Sequence, residues 1–206
     1  MARLAAIGFW TLVAALYAPI PAHAVVIFDE SIDGDLSTNP AAPTSLGTLA
    51  LGESEFLGTT VTDAGGVDRD YLTFTIGAGR SLTAIMLNDY QAPGDNIGFI
   101  GLYAGSTAST PAGANPTFEE LLGGSHLNAG LVGDVFPQVE SFFGADKFDR
   151  PLGPGDYTLL VQQTGPQLTR YRIGLVAVPE PATAAFLGLG LIGLAIHPSR
   201  GRARHA

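Results

Sequence analysis

Apolar and polar residues alternate along most of the chain between residues 25 and 178, and turn-forming residues separate the alternating runs. In the stretch DYLTFTIG, apolar residues fall on one side of an extended chain and residues with polar atoms on the other. The first set is Leu72, Phe74 and Ile76, and the second is Tyr71, Thr73 and Thr75. Alternation with a period of two is typical of a strand that buries one face. The pattern therefore predicts β-structure for this region.

The same alternation predicts strands at several other places. They are DYTLLVQQT, with Tyr157, Leu159 and Val161 on one face; RYRIGLVAV, with Tyr171, Ile173, Leu175 and Ala177 opposed to Arg170 and Arg172; and residues 46–51, 55–62, 81–88 and 97–103. About eight strands are enough for two packed sheets. The sequence thus predicts an all-β fold, a jelly-roll-like β-sandwich.

Two segments interrupt the strand pattern. In NPTFEELLGG, Thr117 and Glu120 have the spacing of a capping box, and Gly123 with Gly124 would end the helical turn that this box begins. Residues 105–116 are rich in Gly, Ala, Ser, Thr and Pro, a composition that predicts a long loop.

The first 24 residues of the 206 have the composition of a secretory signal peptide. Arg3 supplies a basic start, residues 4–16 an apolar core, and Ala22-His23-Ala24 the small-x-small pattern that signal peptidase cleaves. We expect cleavage after Ala24 and export across the inner membrane. The alternative is an uncleaved membrane anchor, which the short apolar core disfavours.

The C-terminal tail, residues 178–206, combines three elements in a fixed order. Val-Pro-Glu-Pro is followed by an uncharged run over residues 182–196 and by Arg200, Arg202 and Arg204. As a helix, this run would reach roughly 22 Å, less than the ~30 Å hydrocarbon core of a bilayer. We expect a short membrane helix whose basic end stays in the cytoplasm, so that the body, residues 25–177, faces outward.

This order of elements resembles the PEP-CTERM sorting tail of Gram-negative bacteria that make exopolysaccharide. The resemblance implies that the membrane transpeptidase exosortase recognises Pro179, Glu180 and Pro181 and processes the chain there. It also implies deployment at the cell surface or in the extracellular polysaccharide matrix. The alternative is an ordinary C-terminal membrane anchor behind a proline-rich linker.

Charge and cysteine content narrow the possible partners. All 19 acidic residues lie between Asp29 and Glu180, and all but Glu180 lie in the body, whereas four of the ten basic residues lie in the terminal segments, so the body is more acidic than the net charge of −9. Such a body repels nucleic acid, which we exclude as a partner. The chain has no cysteine, so no disulfide framework holds the exported fold.

A second resemblance covers the body. The segments GGVDRDYLTFTIGAGRSL, IGFIGLYAGST and GPGDYTLLVQQTG are similar to bacterial pre-peptidase C-terminal domains, small jelly-roll-like sandwiches appended to secreted proteins. Asp68 and Asp70 match the acidic pair of that family before an aromatic strand, and Gly155 with Tyr157 matches its late Gly-x-Tyr strand. The opening FDESIDGDLS also resembles the start of exported proteins with the same tail.

The body offers little for catalysis. Its histidine is His126, next to Ser125, and neighbouring residues on an extended chain point apart. The sequence has no Gly-x-Ser-x-Gly elbow and lacks the ligands of a zinc site. We therefore expect no enzyme; a hydrolase based on His126 or on a carboxylate pair is the least favoured hypothesis.

A calcium site fits the acidic composition of the body better than a zinc site or a catalytic histidine does, because calcium binds carboxylate and carbonyl oxygens. Asp33 and Asp35 in DESIDGDLSTN, with Asp68 and Asp70 in DAGGVDRD, are the candidate ligands. The alternative is that these residues serve the backbone of turns.

Two functional hypotheses follow. The first is a non-catalytic structural or adhesive protein of the exopolysaccharide matrix. The second is a calcium-assisted carbohydrate-binding module, although Trp10, the single tryptophan, leaves with the signal peptide.

Overall fold

The computed structural model describes residues 24–63, 66–117, 119–142, 147–163, 165–180 and 189. The predicted signal peptide and most of the C-terminal tail, including Pro181 and the three terminal arginines, lie outside these residues. Within the part of the chain that is described, no helix has the length and apolar character needed to cross a membrane.

Strands dominate the described chain. They are β1 (Val25–Asp29), β2 (Thr44–Thr48), β3 (Gly52–Thr60), β4 (Thr62–Asp63), β5 (Gly66–Val67), β6 (Arg69–Ile76), β7 (Arg80–Gln91), β8 (Gly98–Ala104), β9 (Gly123–Leu127), β10 (Gly133–Asp134), β11 (Gly155–Gln163) and β12 (Thr169–Pro179). The helical segments are α1 (Glu30–Asp33), α2 (Phe136–Ser141) and the 3₁₀ turns Pro93–Asp95 and Ala129–Leu131.

The strands form two mixed five-stranded sheets and one short hairpin. Sheet A has the order β1-β3-β12-β7-β10, sheet B has the order β2-β6-β11-β8-β9, and β4 pairs with β5. In each large sheet the strand nearest the N-terminus lies at an edge and pairs in parallel, β1 with β3 and β2 with β6, whereas the other pairs are antiparallel.

The inner faces of the two sheets share one hydrophobic core. Its fully buried members include Phe56, Ile85, Ile173 and Leu175 from sheet A and Leu72, Phe74, Ile100, Leu102 and Leu159 from sheet B. Alternating side chains from both sheets thus fill the space between them, as in a β-sandwich. The all-β fold class is confirmed.

A second buried cluster lies on the outer face of sheet B. Tyr71, Tyr103 and Leu160 pack there against Ala108 and Leu121, which belong to the segment between β8 and β9. The alternation of β6 assigns Tyr71 to a face away from the core, and the structure buries it there under the long loop. The loop therefore acts as a cover for this sheet.

Every strand predicted from alternation is present, with shifted ends; the strand predicted at residues 46–51 is β2, Thr44–Thr48. The alternation did not predict β1, β9, the two-residue strands or α2. The apolar run of β1 has no alternation. Instead of the predicted helical turn, residues 119–120 form a turn closed by Thr117 and Glu120, and Gly123–Leu127 is a strand.

The glycines of β9 have a packing reason. At Gly123 a Cβ atom would collide with the backbone carbonyl of Val139 on α2, and at Gly124 it would lie 2.7 Å from the ring of Phe99. Glycine lets the neighbouring elements approach this strand closely. From the sequence alone, the same two glycines are predicted to end a helical turn.

Candidate functional site: a carboxylate cluster

The segment after β1 is shaped by its own acidic side chains. Asp29 is the N-cap of the short helix α1: its Oδ1 accepts hydrogen bonds from the backbone N–H (2.9 Å) and the hydroxyl (2.7 Å) of Ser31. These bonds lower the pKa of Asp29. Gly34 ends α1 at φ 93°, a conformation that favours glycine. The chain then turns back, so that Glu30 and Asp35 come close together.

Glu30, Asp35 and Asp70 form the carboxylate cluster. One carboxylate oxygen from each residue lies within 4.8 Å of the corresponding oxygens of the other two. Asp35 is exposed, Glu30 is half-buried and Asp70 is fully buried. The cluster therefore runs from solvent into the interior between the N-terminal segment and β6.

Glu30 is held in place by backbone and side-chain donors from two directions. Its Oε2 accepts from Thr59 N–H (2.6 Å) and Thr59 Oγ1 (3.0 Å) on β3, and its Oε1 accepts from Leu36 N–H (3.1 Å). Burial nonetheless raises the pKa of Glu30, because desolvation outweighs these bonds. Such donors fix the orientation of the carboxylate without neutralising its charge.

Asp70 is the most constrained member of the cluster. Its Oδ2 accepts a 2.6 Å hydrogen bond from the Tyr171 hydroxyl on β12, whereas its Oδ1 is buried and has no hydrogen-bond partner among the described residues. Burial first, and then the charge of Glu30, raise the pKa of Asp70 well above the ordinary value. A buried carboxylate oxygen without a donor is costly unless something compensates it.

The Asp70–Tyr171 bond joins the two sheets, since β6 belongs to sheet B and β12 to sheet A. Tyr171 is 3% exposed and packs edge-on against Phe56 with ring centroids 6.1 Å apart. Burial and the neighbouring Asp70 raise the pKa of its hydroxyl well above the ordinary value. Gly58 on β3 leaves the necessary room, because a Cβ there would collide with the Tyr171 hydroxyl.

This arrangement suits a hard divalent cation. Oxygens bound to one calcium ion at about 2.3–2.6 Å lie within about 5 Å of one another, which matches the spacing of the cluster. A cation would also neutralise three mutually repelling carboxylates and give Asp70 Oδ1 a partner. The donor set, all carboxylate oxygen, fits calcium better than zinc or copper.

Of the four calcium ligands predicted from the sequence, the structure brings two together and places the other two outside the cluster. Asp35 and Asp70 lie in the cluster. Asp33 Oδ2 accepts instead from the backbone N–H of Asp29 (2.9 Å), and Asp68 contributes to the wall of a cleft beside the cluster. Sequence reasoning missed Glu30, because no regular spacing relates a residue of a four-residue helix to Asp70 on β6 of sheet B.

Two clefts flank the cluster. The larger, about 500 Å³, is lined by Asp35, Asp68, Thr38 and Arg69, among others. The smaller, about 260 Å³, lies on the side of Glu30 and Tyr171. Asp35 and Glu30 thus open the cluster to solvent in two directions.

The histidine hypothesis receives no support from geometry. His126 is exposed on β9, and its ring meets those of Phe99 and Phe142 at centroid distances of 6.2 and 5.2 Å. The hydroxyl of Ser125 donates to the carbonyl of His126 (3.0 Å) rather than to its imidazole.

The sorting motif begins inside the sandwich. Strand β12 continues through Pro179, which stands opposite Arg80 of β7, and the backbone N–H of Glu180 donates to the carbonyl of Gly79 (2.9 Å). Pro179 is exposed and Glu180 half-buried. The first motif residue, Pro179, is therefore the end of a core strand, and the backbone of the second is still hydrogen-bonded to the sandwich.

Comparison with known proteins supports this assignment of the tail. Residues 177–200 match the family described as the PEP-CTERM protein-sorting motif. The chain thus carries the motif that its sequence resembles, and the motif marks an exported protein that an exosortase sorts to the cell envelope or surface.

The body is similar to solved structures at low identity. No curated protein matches the chain. A similar solved structure is the pre-peptidase C-terminal domain of collagenase from Bacillus anthracis, at 12% identity and a TM-score of 0.27, covering 78% of this chain and 100% of that domain. This is the domain type that the sequence of the body resembles.

Proposed function

We propose that the exported body is a non-catalytic structural or adhesive module of the cell surface or the exopolysaccharide matrix, stabilised by a calcium ion at Glu30, Asp35 and Asp70. The observation that carries the calcium proposal is the buried, unpartnered Asp70 Oδ1 beside two further carboxylates. The structural or adhesive role draws its support from the sorting motif and the acidic surface.

Calcium would act here as a cross-link between separate parts of the fold. Glu30 and Asp35 belong to the N-terminal segment, Asp70 to sheet B, and Thr59 and Tyr171, which hold these carboxylates, to sheet A. One ion would therefore join three parts of a fold that has no disulfide. Extracellular modules bind calcium with dissociation constants of about 10⁻⁴–10⁻³ M, a range suited to a site that is partly open to solvent.

Thermal unfolding of the purified exported protein, with calcium or with chelator, tests this proposal. A ligand specific for the folded state adds about 2.7 kcal/mol at a hundred times its dissociation constant. We expect calcium to raise the melting temperature by several degrees, and metal analysis after equilibrium dialysis to find one ion per chain.

The matched variants are Asp70→Asn and Asp33→Asn. The first keeps the shape of a cluster residue and should abolish the calcium response. The second changes an aspartate of the same N-terminal region outside the cluster and should retain the response. Equal calcium responses in wild type and Asp70→Asn would refute a stabilising calcium ion at the carboxylate cluster.

A second candidate function is calcium-assisted carbohydrate binding. The cleft of about 500 Å³ favours it, because Asp35 belongs both to this cleft and to the cluster, so an ion there could share its free coordination positions with sugar hydroxyls. Glycan binding that requires calcium and is lost in Asp35→Asn would support this function over a purely structural one.

A further inference from the structure

The exit of the sorting tail from the sandwich has an unusual geometry. Strand β3 begins at Gly52, opposite Ala177, so the residues of β12 beyond Ala177 have a strand partner on one side only, in β7. There Val178 stands opposite Ser81 and Pro179 opposite Arg80, and the Glu180 N–H bonds to Gly79. Ala177 itself is 1% exposed and belongs to the core.

An enzyme that takes a peptide motif into its active site contacts its backbone and side chains. While Pro179 and Glu180 lie against β7, one edge of the motif is occupied by Gly79 and Arg80. The hydrophobic core anchors the strand at Ala177, immediately before this point. No spacer separates the motif from the folded body.

We propose that the fold regulates the processing of its own sorting motif: exosortase takes up Pro179–Glu180 only after residues 178–180, where β12 ends, separate from residues 79–81, where β7 begins. This inference rests on the proposed function only in that the tail is a sorting substrate. It is independent of calcium.

The strand end is built for such separation. Proline has no backbone N–H, so Pro179 offers no donor on the open side of β12, where β3 no longer pairs, and strands tolerate proline at places where pairing ends. Strand ends held on one side by few hydrogen bonds open far more often than the core does. The closed arrangement is therefore the resting state, and a small opening suffices to release the motif.

The experiment follows processing of the full chain in cells that contain exosortase. Pulse labelling measures the rate at which the unprocessed form is converted to the processed one. In the test variant, six Gly-Ser residues inserted between Val178 and Pro179 move the motif off β7. We expect processing to accelerate about fivefold, the population change that corresponds to one ordinary backbone hydrogen bond.

The matched control carries the same insertion between Gly113 and Ala114, two residues of the long loop far from β12 in sequence. It should be processed at the wild-type rate. If the wild type is processed and the Val178–Pro179 insertion leaves the rate unchanged or lowers it, the regulation is wrong. If the wild type is not processed at all, the sorting function itself fails.

A second variant separates strand release from mere distance between body and membrane. Val178→Cys with Ser81→Cys places two cysteines opposite each other in a chain that has none, at the ~5.5 Å Cα spacing of a hydrogen-bonded antiparallel pair. In isolated membranes the oxidised form should be processed at least about fivefold more slowly than the reduced form, by the same hydrogen-bond argument. Equal rates for the two forms would overturn the proposal.

Discussion

The two ends of β12 contrast in how they are built. At one end Tyr171 meets Asp70, and side chains from four different elements converge on the carboxylate cluster. At the other end, eight residues and about 26 Å further along the strand, the chain passes into the sorting motif with one partner strand. The first end depends on contacts between residues distant in sequence, whereas the second depends on residues that are consecutive.

This difference separates two kinds of information in the chain. A sorting enzyme reads a short linear motif, so the residues must be adjacent and in order. A metal site needs oxygens at given positions in space, and the fold can supply these from any point of the sequence. The experiments below test whether the two ends are energetically independent.

The largest effect should come from the strand that links both ends. Ile173 is fully buried in the core, and Ile173→Ala removes packing that stabilises the whole sandwich. We expect a loss of about 2–5 kcal/mol in the free energy of unfolding, measured by denaturant titration. Calcium affinity and strand pairing at Pro179 should both weaken, because both ends rest on the same hydrophobic core and not because one end acts on the other. A change confined to one end would show that the two ends do not share the stability of that core.

Gly58→Ala should act on the cluster end alone. The added methyl group collides with the Tyr171 hydroxyl and displaces it from Asp70. Overpacking of this kind costs about 1–3 kcal/mol, measurable by the same titration. The calcium response should fall while the processing rate stays at the wild-type value. Faster processing in this variant would contradict the independence of the two ends.

In the presence of chelator, the ionisation of Asp70 should make the free energy of unfolding depend on pH. The pKa of Asp70 is higher in the folded than in the unfolded protein. Its contribution to the free energy of unfolding is therefore fully present below the unfolded pKa near 3.8, and it is lost as pH rises through the folded pKa. Each unit of elevation corresponds to about 1.4 kcal/mol. Carboxylates with lowered pKa values, such as Asp29, have the opposite dependence.

The comparison of wild type with Asp70→Asn isolates this contribution. As pH rises from 4 to 8, metal-free wild type should lose stability relative to the variant. With saturating calcium the difference should reverse, since the ion favours the ionised cluster. The same pH dependence in both proteins would show that Asp70 is not the titrating group.

Thr59→Val should have the smallest effect. The substitution keeps the shape and the backbone N–H bond to Glu30 but removes the 3.0 Å hydroxyl bond. We expect a loss of about 1 kcal/mol or less in the free energy of unfolding, and a several-fold weaker calcium affinity by isothermal titration calorimetry. An unchanged affinity would mean that the backbone N–H alone orients Glu30.

Much of the fold could be predicted because burial on one face imposes a visible alternation. Strands β6, β11 and β12 follow that rule closely. Strand β9 does not, since close packing of α2 and Phe99 requires glycines there. Tyr71 was assigned correctly to an outer face, but only the loop over sheet B explains why that face is buried.

The candidate site was predictable in part. Asp35 and Asp70 could be selected as acids in turns near strands, and calcium followed from the absence of other ligand types. Asp33 and Asp68 look equivalent to them in sequence. The chain reversal at Gly34 and the register of β6 against the N-terminal segment decide which carboxylates meet.

Linear order alone determined the sorting of this protein, because the PEP-CTERM motif is read as consecutive residues and needs no folded partner to define it. The tertiary structure alone decided that Glu30 joins Asp35 and Asp70, that one oxygen of Asp70 is buried with no donor among the described residues, and that Pro179 ends a core strand. These features depend on distances between elements that are far apart along the chain, and only the packing of two sheets sets those distances.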